Sequence, residues 1–539
     1  MEIKKIQIRE KEVMPFTIPS GIITTSIASL EKLAQEIPEL GILTTKSIGP
    51  KPREGNREPI LGEYLPGCFV NAVGLTNPGV ESFREELSRV HFPSDKFLLA
   101  SIFGKDDAEF VYVAKTLESS VDGFELNLSC PHAKGYGMQL GQDPGLVYEI
   151  TRAVVRNVKI PVFAKLTPNA GNIGEIAKAA VSGGVEGIVA INTVGPGCYI
   201  FDGHEVLTNK IGGLSGRGIT PIGIKCVRDI RQAVGENVPI IGMGGISSAK
   251  DVRNYKRAGA NIFGIGSTLA GMSDRELKAY FGQMRIDLEA NLDYAGDFLK
   301  KVDMSYKKFY ALEIENPDCD FKVIRTDSEL ESKPGQFVFA WIPGIGEKPF
   351  SIMDNSPLTL GVLARGEFTR EFNSLKKGDE LYVRGPYGKS VEVPNDSQVV
   401  LVGGGCGIAG LYLLAKRLSE KAKVLSLLGA KDKQHLPYLE RFSEFGEVGI
   451  VTENGSLGKI GNVRDLLKTV KITPGSYFFN CGPRAMIEAV LPLELEVSNK
   501  ERIYSSVDYM TRCGIGICGS CADPKGKRTC VEGPFMSTK

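Results

Sequence analysis

Four cysteines near the C-terminus have the spacing of a metal centre. Cys513, Cys518, Cys521 and Cys530 form the pattern Cys-x4-Cys-x2-Cys-x8-Cys. The first three have the spacing of plant-type [2Fe–2S] proteins, in which the fourth cysteine follows further along the chain. Four thiolates also bind zinc, but zinc sites typically use two Cys-x2-Cys pairs, and this segment has one. The pattern therefore predicts a [2Fe–2S] cluster, with zinc as the alternative.

A glycine-rich segment in the second half predicts a dinucleotide site. Gly405, Gly407 and Gly410 fit Gly-x-Gly-x-x-Gly and lie between an apolar run at 398–402 and a helical pattern. In that context the glycines let backbone approach a pyrophosphate, which the N-terminus of the following helix stabilises. Without the strand and the helix on either side the motif would be weak.

Polar residues and glycines also follow the apolar runs of the first half. Eight runs alternate with helical patterns between residues 16 and 268, which predicts a (β/α)8 TIM barrel, with an open doubly wound sheet as the alternative. The residues at the run ends are Lys46, Ser47, Asn127, Lys165, Asn192, Thr193, Gly244, Gly245, Gly266, Ser267 and Thr268. In a barrel these ends share the face that carries the active site, where phosphate is often held after the last two strands. Glycines there allow backbone N–H groups to reach phosphate oxygens, so we expect a phosphorylated ligand such as FMN.

Cys130 is the candidate reacting group. It follows the fourth run in Asn127-Leu-Ser-Cys-Pro-His132 and precedes a loop with glycines at 135, 137 and 141, which could close over a substrate. A thiol, whose ordinary pKa is about 8.5, acts as a base where the site favours its thiolate. A lone buried cysteine is more commonly a packing residue.

Taken together, these segments resemble the catalytic chain of class 1 dihydroorotate dehydrogenases over the first 300 or so residues. The matching pieces, in the family's order, are Ser20-Gly21, Thr45-Lys-Ser47, Asn71-Ala-Val-Gly-Leu75, Asn127-Leu-Ser-Cys-Pro131, Lys165-Leu-Thr-Pro-Asn169, Asn192-Thr193, Gly212-Gly-Leu-Ser-Gly216, Gly244-Gly-Ile246 and Gly266-Ser-Thr268.

The resemblance implies a role for each of these residues. Cys130 would remove the C5 proton of dihydroorotate, and the backbone of Val73, Gly74 and Leu75 would bind its carboxylate. The other implied substrate contacts are Lys46, Asn71, Asn127, Asn192 and Thr193. The implied FMN contacts are Ser20, Lys46, Ser47, Asn127, Lys165, Ile191, Gly216, Gly244, Gly245, Gly266, Ser267 and Thr268, with Lys165 stabilising the anionic reduced flavin.

His132 departs from that family, which usually has Asn at this place. Pro-His followed by Gly137-Met138 and Gly141-Gln-Asp-Pro144 resembles the pyrimidine-reducing barrel of dihydropyrimidine dehydrogenases, which act on uracil or thymine. Asn71-Ala-Val-Gly-Leu75 favours dihydroorotate, so dihydroorotate is the expected substrate and a dihydropyrimidine the alternative. A third possibility is that the barrel is only a flavin-binding or regulatory module. Cys130 argues against it, because such a module needs no catalytic base.

From residue 304 onward the chain resembles the electron-transfer subunit of NAD-linked dihydroorotate dehydrogenases and the ferredoxin reductases. Lys348-Pro349-Phe350-Ser351, with lysine where the family has arginine, and Gly366 with Thr369 would bind FAD. Cys481-Gly482-Pro483 would lie beside the nicotinamide of NAD, together with the three motif glycines. The resemblance implies a path for electrons from FMN through the [2Fe–2S] cluster and FAD to NAD.

The remaining expectations concern organisation and partners. The expected domains are an FMN barrel at 1–303, an antiparallel FAD β-barrel at 304–395, an NAD α/β domain at 396–497 and a cluster domain at 498–539. A net charge of +1 gives no sign of a nucleic-acid partner. No apolar run reaches about 18 residues and no signal core is present, so neither a membrane span nor secretion is expected and the cytoplasm is the predicted location. The related enzymes imply a homodimer formed through the barrel.

Overall fold

The computed structural model describes residues 3–128, 140–293, 299–316 and 319–538. The chain divides into two compact units. Unit 1 comprises Met1–Asp303 and Ile515–Lys527, and unit 2 comprises Met304–Gly514 and Arg528–Lys539. The grouping of Ile515–Lys527 with unit 1 differs from the uninterrupted segment 498–539 that the sequence suggested, because this stretch packs on barrel residues.

Unit 1 contains an eight-stranded parallel barrel, as the alternation of apolar runs and helical patterns predicted. The strands of unit 1, in the barrel and outside it, are β1 (Ile6–Ile8), β2 (Lys11–Val13), β3 (Phe16–Ile18), β4 (Leu40–Thr44), β5 (Leu61–Leu65), β6 (Cys68–Asn71), β7 (Phe97–Ile102), β8 (Gly123–Asn127), β9 (Val162–Leu166), β10 (Gly187–Ala190), β11 (Val194–Cys198), β12 (Ile200–Phe201), β13 (His204–Glu205), β14 (Ile211–Gly216), β15 (Ile240–Met243) and β16 (Ile262–Gly264). The barrel closes in the order β3-β4-β7-β8-β9-β10-β15-β16, so each of the eight predicted runs supplies one strand. This is a TIM barrel, and the open-sheet alternative is wrong.

Eight helices accompany these strands in the described part of unit 1. They are α1 (Ile27–Glu36), α2 (Val80–Leu87), α3 (Asp107–Leu117), α4 (Pro144–Asn157), α5 (Ile173–Ser182), α6 (Thr220–Val234), α7 (Ala249–Ala258) and α8 (Asp274–Glu289). Local sequence fixes several of their starts. Asp143 caps α4, whose first residue is Pro144, and Ser248 with Asp251 forms a capping box on α7.

The strand residues of the barrel alternate between two apolar clusters. On β9, Phe163 belongs to the inner cluster, whereas Ala164 belongs to the larger cluster that includes the helices. Ile8 and Val13, from the β1–β2 hairpin, join the inner cluster. Since side chains alternate with a period of two, Lys165 takes the same inward side as Phe163.

An antiparallel sheet in unit 1 supplies further site residues. Its strand order is β11-β14-β6-β5, and Asn71 at the end of β6 pairs with Gly213. The segment Asn71-Ala-Val-Gly-Leu75 therefore begins in this sheet rather than in the barrel.

Unit 2 combines a six-stranded antiparallel barrel with a mostly parallel sheet. The elements are β17 (Lys307–Glu315), β18 (Phe321–Thr326), β19 (Phe337–Ile342), β20 (Gly346–Asn355), β21 (Leu358–Leu363), α9 (Glu367–Asn373), β22 (Glu380–Tyr387), β23 (Gln398–Gly404), α10 (Ala409–Leu418), β24 (Lys423–Ala430), α11 (Leu439–Phe442), β25 (Glu447–Thr452), β26 (Lys459–Ile460), α12 (Val463–Leu467), β27 (Tyr477–Cys481), α13 (Arg484–Val497), β28 (Ile503–Ser506), α14 (Thr529–Glu532) and β29 (Phe535–Ser537). The barrel closes as β17-β18-β21-β20-β19-β22, and the sheet runs β26-β25-β24-β23-β27-β28-β29 with only β29 antiparallel. Both match the predicted architecture of a reductase-like module.

Among the described residues, no helix combines the length and the apolar character needed to cross a membrane.

Candidate functional site

A cavity in unit 1 lies at the carboxyl ends of the barrel strands. Its wall is formed by Pro19, Ser20, Gly21, Ile22, Lys46, Ser47, Ile60, Leu61, Phe69, Asn71, Val73, Gly74, Leu75, Asn127, Lys165, Ile191, Asn192, Thr193, Ser215, Gly216, Ile219, Met243, Gly244, Gly245, Gly264, Gly266, Ser267, Ile517 and Cys518. Residues on or directly after seven barrel strands and residues from the antiparallel sheet meet there, although they are far apart in sequence. The position is the one at which TIM barrels carry their active sites.

This cavity brings together nearly all the residues assigned by resemblance to substrate and FMN. Each described residue of those two sets lines it except Thr268, whose hydroxyl donates to the Ile246 carbonyl at 2.8 Å. Cys130 and His132 lie outside the described residues. The roles of the individual residues stay predictions.

Lys165 and Glu125 form a buried ion pair below the cavity. Lys165 Nζ lies 3.3 Å from Glu125 Oε1, and both side chains are almost inaccessible to solvent, at 6% and 1% exposure. The strand register places them together, because Asn127 pairs with Lys165 and Glu125 faces the same side two residues earlier. A lysine held in this way presents a fixed positive charge to the cavity and is not a surface residue.

Amide and hydroxyl groups form a connected chain along one wall. Asn192 Nδ2 donates to Asn127 Oδ1 at 3.3 Å, and Asn127 Nδ2 donates to Ser47 Oγ at 3.0 Å. Ser47 Oγ also lies 3.1 Å from Ser20 Oγ and 2.9 Å from Ser101 Oγ. These hydrogen bonds fix the direction of each amide, so donors and acceptors are already oriented before any ligand binds.

Two glycines of the cavity have different physical reasons for lacking a side chain. Gly245 has a φ of +77°, and a Cβ there would lie 2.2 Å from Thr220 Oγ1, so its own surroundings demand glycine. Gly266 has an ordinary negative φ, and the nearest protein atom to an added Cβ is Pro19 Cγ at 3.5 Å. The surrounding protein therefore leaves room for a methyl group at 266, and the open space beside this residue fits a bound ligand.

Ile517 and Cys518 are cavity residues that sequence reasoning did not place there. They come from Ile515–Lys527, whose backbone contacts the first barrel loop. Ile23 N donates to the Ile517 carbonyl at 2.7 Å, and Thr25 Oγ1 donates to the Cys518 carbonyl at 2.6 Å. No local sequence signal links residues 493 positions apart, as Thr25 and Cys518 are, so only the tertiary structure could find them.

The cysteines of the predicted metal centre are buried. Cys513, Cys518, Cys521 and Cys530 are each at most 9% exposed, and none of the described cysteines forms a disulfide. Cys518 and Cys521 belong to the segment grouped with unit 1, and Cys513 and Cys530 belong to unit 2.

The residues assigned to FAD lie on β20 and at the start of α9. Lys348 to Ser351 are all half-buried, and the Phe350 ring stacks on Phe372 at 5.3 Å. Thr369 Oγ1 accepts from the backbone N–H of Gly366 at 2.9 Å, which closes the first turn of α9. Ser351 approaches the glycine motif, since a Cβ on Gly410 would lie 3.1 Å from Ser351 Oγ.

The glycine motif forms a strand–turn–helix in unit 2. β23 ends at Gly404, a short 3-10 turn spans Gly405–Ile408, and α10 follows. A Cβ on Gly407 would lie 2.4 Å from the Cys481 carbonyl, so the two predicted NAD segments touch at this glycine. Cys481, Gly482 and Pro483 join the end of β27 to α13. The three motif glycines and this segment thus meet at the carboxyl edge of the sheet, where α/β folds bind ligands.

Two cysteines beside the predicted NAD segments are not activated thiols. Burial raises the pKa of the Cys481 thiol to about 12, and burial also raises the pKa of Cys406. A thiol with a raised pKa is a poor nucleophile at neutral pH. Neither thiol is therefore a candidate nucleophile.

Asp432 contacts His435 in unit 2. Its Oδ1 lies 2.7 Å from His435 Nδ1 and also accepts from the backbone N–H of Gln434. Hydrogen bonding to His435 is the main cause that holds the pKa of Asp432 below its ordinary value.

Glu494 adjoins the NAD segment and makes the stability of unit 2 depend on pH. Asn480 Nδ2 donates to Glu494 Oε2 at 2.9 Å, while Glu494 Oε1 and Asn480 Oδ1 are buried without a hydrogen-bond partner. Burial raises the pKa of Glu494 from 4.5 to about 7. The folded chain thus keeps a proton that the unfolded chain has lost, so stability falls as the pH rises from about 4.5 to 7 and then levels off.

We expect Glu494→Gln to remove this dependence. The amide can donate to Asn480 Oδ1 and carries no charge to bury, so the variant should be about 3 kcal/mol more stable than the natural chain above neutrality and similar to it at about pH 4.5. The measurement is the thermal midpoint across that pH range, with the exposed neighbour Glu496→Gln as the control. Parallel pH profiles for both variants and the natural chain would contradict this account.

Comparisons with known proteins agree with the barrel site. The family model described as dihydroorotate dehydrogenase matches residues 8–275. A protein of Methanocaldococcus jannaschii named dihydroorotate dehydrogenase B (NAD(+)), catalytic subunit, is 48% identical over 257 residues, which cover 47% of this chain and 82% of that protein. A protein of the same name from Pyrococcus horikoshii is 42% identical, covering 50% of this chain and 86% of that protein.

One solved structure is similar to part of the chain. It is a chain from a structure titled for an NADH-dependent reduced ferredoxin-NADP oxidoreductase, with 28% identity, covering 43% of this chain and 88% of that chain at a TM-score of 0.39. At that score the similarity does not establish a shared fold.

The relatives match the barrel half at high identity and over most of their own length, and the cavity of that half assembles the residues the family's motifs supply. The chain is an oxidoreductase that belongs to the dihydroorotate dehydrogenase family.

Proposed function

We propose that this chain oxidises dihydroorotate to orotate in de novo pyrimidine biosynthesis and passes the electrons to NAD. The observation that carries the proposal is the single cavity at the barrel's carboxyl face, which unites the substrate residues and flavin residues of the family's motifs. The names of the relatives, which specify NAD, support the choice of acceptor.

The substrate would bind against the amide chain of the cavity. Asn71, Asn127 and Asn192 offer the alternating donors and acceptors that a pyrimidine ring requires. Asn71 Nδ2 already donates to the Gly213 carbonyl at 3.1 Å, which leaves its amide oxygen as an acceptor for the ligand. Gly74 has a φ of +84° and Leu75 one of +57°, a left-handed pair whose neighbouring N–H groups suit a carboxylate.

FMN is the cofactor that would bind on the side of the cavity formed by Lys165 and the glycines. Lys165 would hold it through its charge, the glycines Gly244, Gly245 and Gly266 would receive its phosphate, and Gly266 has room for it. When bound, FMN supplies the acceptor for the C6 hydride. The residues of the chain would orient the substrate, and Lys165 would provide a positive charge at a fixed position in the cavity.

Cys130 is the proposed base for the C5 proton, by the family motif. We expect Cys130→Ser to retain bound flavin and to lose dihydroorotate-driven bleaching of flavin absorbance by about 10²-fold or more at neutral pH, because a serine hydroxyl hardly ionises there. Stopped-flow absorbance measures the rate, and the exposed Cys198→Ser is the control. Bleaching at the natural rate in Cys130→Ser would assign the base to another residue.

The second half is proposed to be an electron-transfer module fused to the barrel. Lys348 and Ser351 would bind FAD, and the glycine motif with Cys481-Gly482-Pro483 would bind NAD. The buried, unbridged cysteines at 513, 518, 521 and 530 fit a [2Fe–2S] cluster, since such a cluster requires thiolates shielded from water. FMN, this cluster and FAD would together carry electrons between the two substrates.

The proposed domains are those drawn from the sequence, with barrel, FAD, NAD and cluster segments at 1–303, 304–395, 396–497 and 498–539, and the Ile515–Lys527 part of the last segment groups with the barrel unit. A homodimer is proposed by analogy with related enzymes. Light scattering of the purified chain measures its mass, and a monomeric mass would refute the dimer.

The decisive experiment compares two substrates without oxygen. The purified enzyme is mixed with dihydroorotate and, separately, with dihydrouracil, and flavin absorbance is followed before and after NAD is added. Bleaching by dihydroorotate followed by NADH formation is the expected result. Bleaching by dihydrouracil alone would assign the enzyme to pyrimidine breakdown and would make His132 the better guide to its substrate.

A further inference from the structure

Three different metal-binding side chains meet in unit 2, and none of them is one of the four C-terminal cysteines. Cys319 Sγ lies 3.6 Å from Asp320 Oδ1 and 3.8 Å from His435 Nε2. His435 Nε2 lies 2.5 Å from Asp320 Oδ1. Cys319 and Asp320 directly precede β18 of the antiparallel barrel, whereas His435 follows β24 of the parallel sheet. Tertiary folding therefore creates this cluster, and no sequence motif announces it.

These separations are close to those of a bound metal ion. Around tetrahedral zinc, with bonds of about 2.3 Å to sulfur and about 2.0 Å to nitrogen or oxygen, a sulfur lies roughly 3.6 Å from each of its neighbours. Both distances from Cys319 Sγ have this value or nearly so. The imidazole and the carboxylate need to separate by less than about 1 Å to reach the roughly 3.3 Å expected between them.

The surroundings hold His435 in the orientation of a metal ligand. Its Nδ1 lies 2.7 Å from Asp432 Oδ1, and that carboxylate is fixed in turn by the backbone N–H of Gln434 at 2.9 Å. A carboxylate on Nδ1 is the usual support of a histidine that binds zinc, and the ion would enter between Nε2 and Asp320 Oδ1, which are in contact here. The His435 side chain is only 10% exposed, so the ring has little freedom to turn away.

The sulfur of Cys319 is supported in a similar way. The backbone N–H of Phe321 donates to Cys319 Sγ at 3.5 Å, a contact that holds the sulfur beside the carboxylate and the imidazole. Lys431 Nζ lies 3.5 Å from the other carboxylate oxygen, Oδ2 of Asp320. Lys431 therefore leaves Oδ1, which faces the sulfur and the imidazole, available to a metal.

We propose that Cys319, Asp320 and His435 bind a divalent zinc ion, with solvent as the fourth ligand. Sulfur and imidazole nitrogen are the donors zinc prefers, whereas calcium and magnesium require oxygen ligands. The ion would tie the chain entering β18 to the loop after β24 and so link the antiparallel barrel to the parallel sheet. Asp432 is a positioning residue in this site. The site is independent of the proposed dehydrogenase reaction and of the iron centre.

The test measures metal content in the full holoenzyme. Iron-loaded protein is incubated with zinc, freed of excess zinc by gel filtration, and assayed for zinc and iron by mass spectrometry. We expect about one zinc ion per chain in the natural protein and none in Cys319→Ser. Iron content should be equal in both, which shows that the C-terminal cysteines are not the source. The control is Cys198→Ser, which removes an exposed thiol of unit 1.

Cobalt gives a second readout. Co²⁺ in place of zinc should produce a thiolate charge-transfer band in the natural protein that is absent from Cys319→Ser, and His435→Gln should weaken retention of the metal. A chelator should lower the thermal midpoint of the zinc-loaded natural protein by about 5 °C and leave Cys319→Ser unchanged.

Equal zinc content in the natural protein and Cys319→Ser, or none in either, overturns the proposal. In that case His435 is an ion-pair residue between Asp320 and Asp432. If Cys319→Ser does not fold, His435→Gln decides the same question.

Discussion

Replacing Lys165 by methionine should lower kcat/KM for dihydroorotate by about 10²–10³-fold. The side chain is buried beside Glu125 and lines the cavity, so no solvent cation can take its place. Removing a preorganised charge that stabilises charge developing in the reaction has an effect of this size. The measurement is steady-state reduction of NAD by dihydroorotate, with the exposed Lys178→Met on α5 as the control.

Stability must be separated from chemistry in this experiment. Lys165→Met leaves the Glu125 carboxylate buried without its partner, which costs about 3–5 kcal/mol. The double variant Lys165→Met with Glu125→Gln removes that charge, so we expect its thermal midpoint to return close to the natural value while activity stays low. Recovery of activity in the double variant would show that Lys165 acts only through the stability of the barrel.

The second large effect is expected at Arg384 in unit 2. Arg384 Nε and Nη2 donate to Glu347 Oε1 and Oε2 at 2.6 and 2.7 Å, and the two side chains are 1% and 0% exposed. The Tyr306 hydroxyl donates to the same carboxylate at 2.5 Å. Arg384 Nη1 also donates to the Cys513 carbonyl at 2.9 Å, so the buried pair holds the backbone at the first cysteine of the predicted cluster.

We expect Arg384→Met to destabilise unit 2 by about 3–5 kcal/mol, because it leaves the Glu347 charge buried and unpaired. For a unit of this size that corresponds to a fall of roughly 6–20 °C in the thermal midpoint of its transition, which calorimetry of the holoenzyme measures. Iron content per chain should also fall, since the Cys513 carbonyl loses its donor.

Two comparisons test this explanation. In the double variant Arg384→Met with Glu347→Gln the midpoint should recover most of the loss, while iron content should stay low. The exposed pair of Arg484 with Glu488 serves as the control, since Arg484→Met should change stability by less than about 1 kcal/mol. An Arg384→Met variant as stable as Arg484→Met would show that Glu347 is neutralised by other means.

Sequence pattern was sufficient for the fold because each element carries its own local signal. The eight barrel strands are apolar runs separated by capped amphipathic helices, and β23 with its glycine turn is a local motif as well. Thr268 shows where such reasoning fails. It follows the last barrel strand as Ser267 does, but its hydroxyl hydrogen-bonds to backbone instead of facing the cavity.

The sequence by itself determined which residue types could react and at which strand ends they stand. It could do so because strand periodicity and the need for glycine in a turn depend on residues that are neighbours in the chain. The tertiary structure alone decided which distant segments share a site. Cys518 reaches the cavity of the barrel, and Cys319 meets His435, through contacts between residues more than 100 positions apart. Long-range packing sets such contacts, and a single sequence carries no local signal for them.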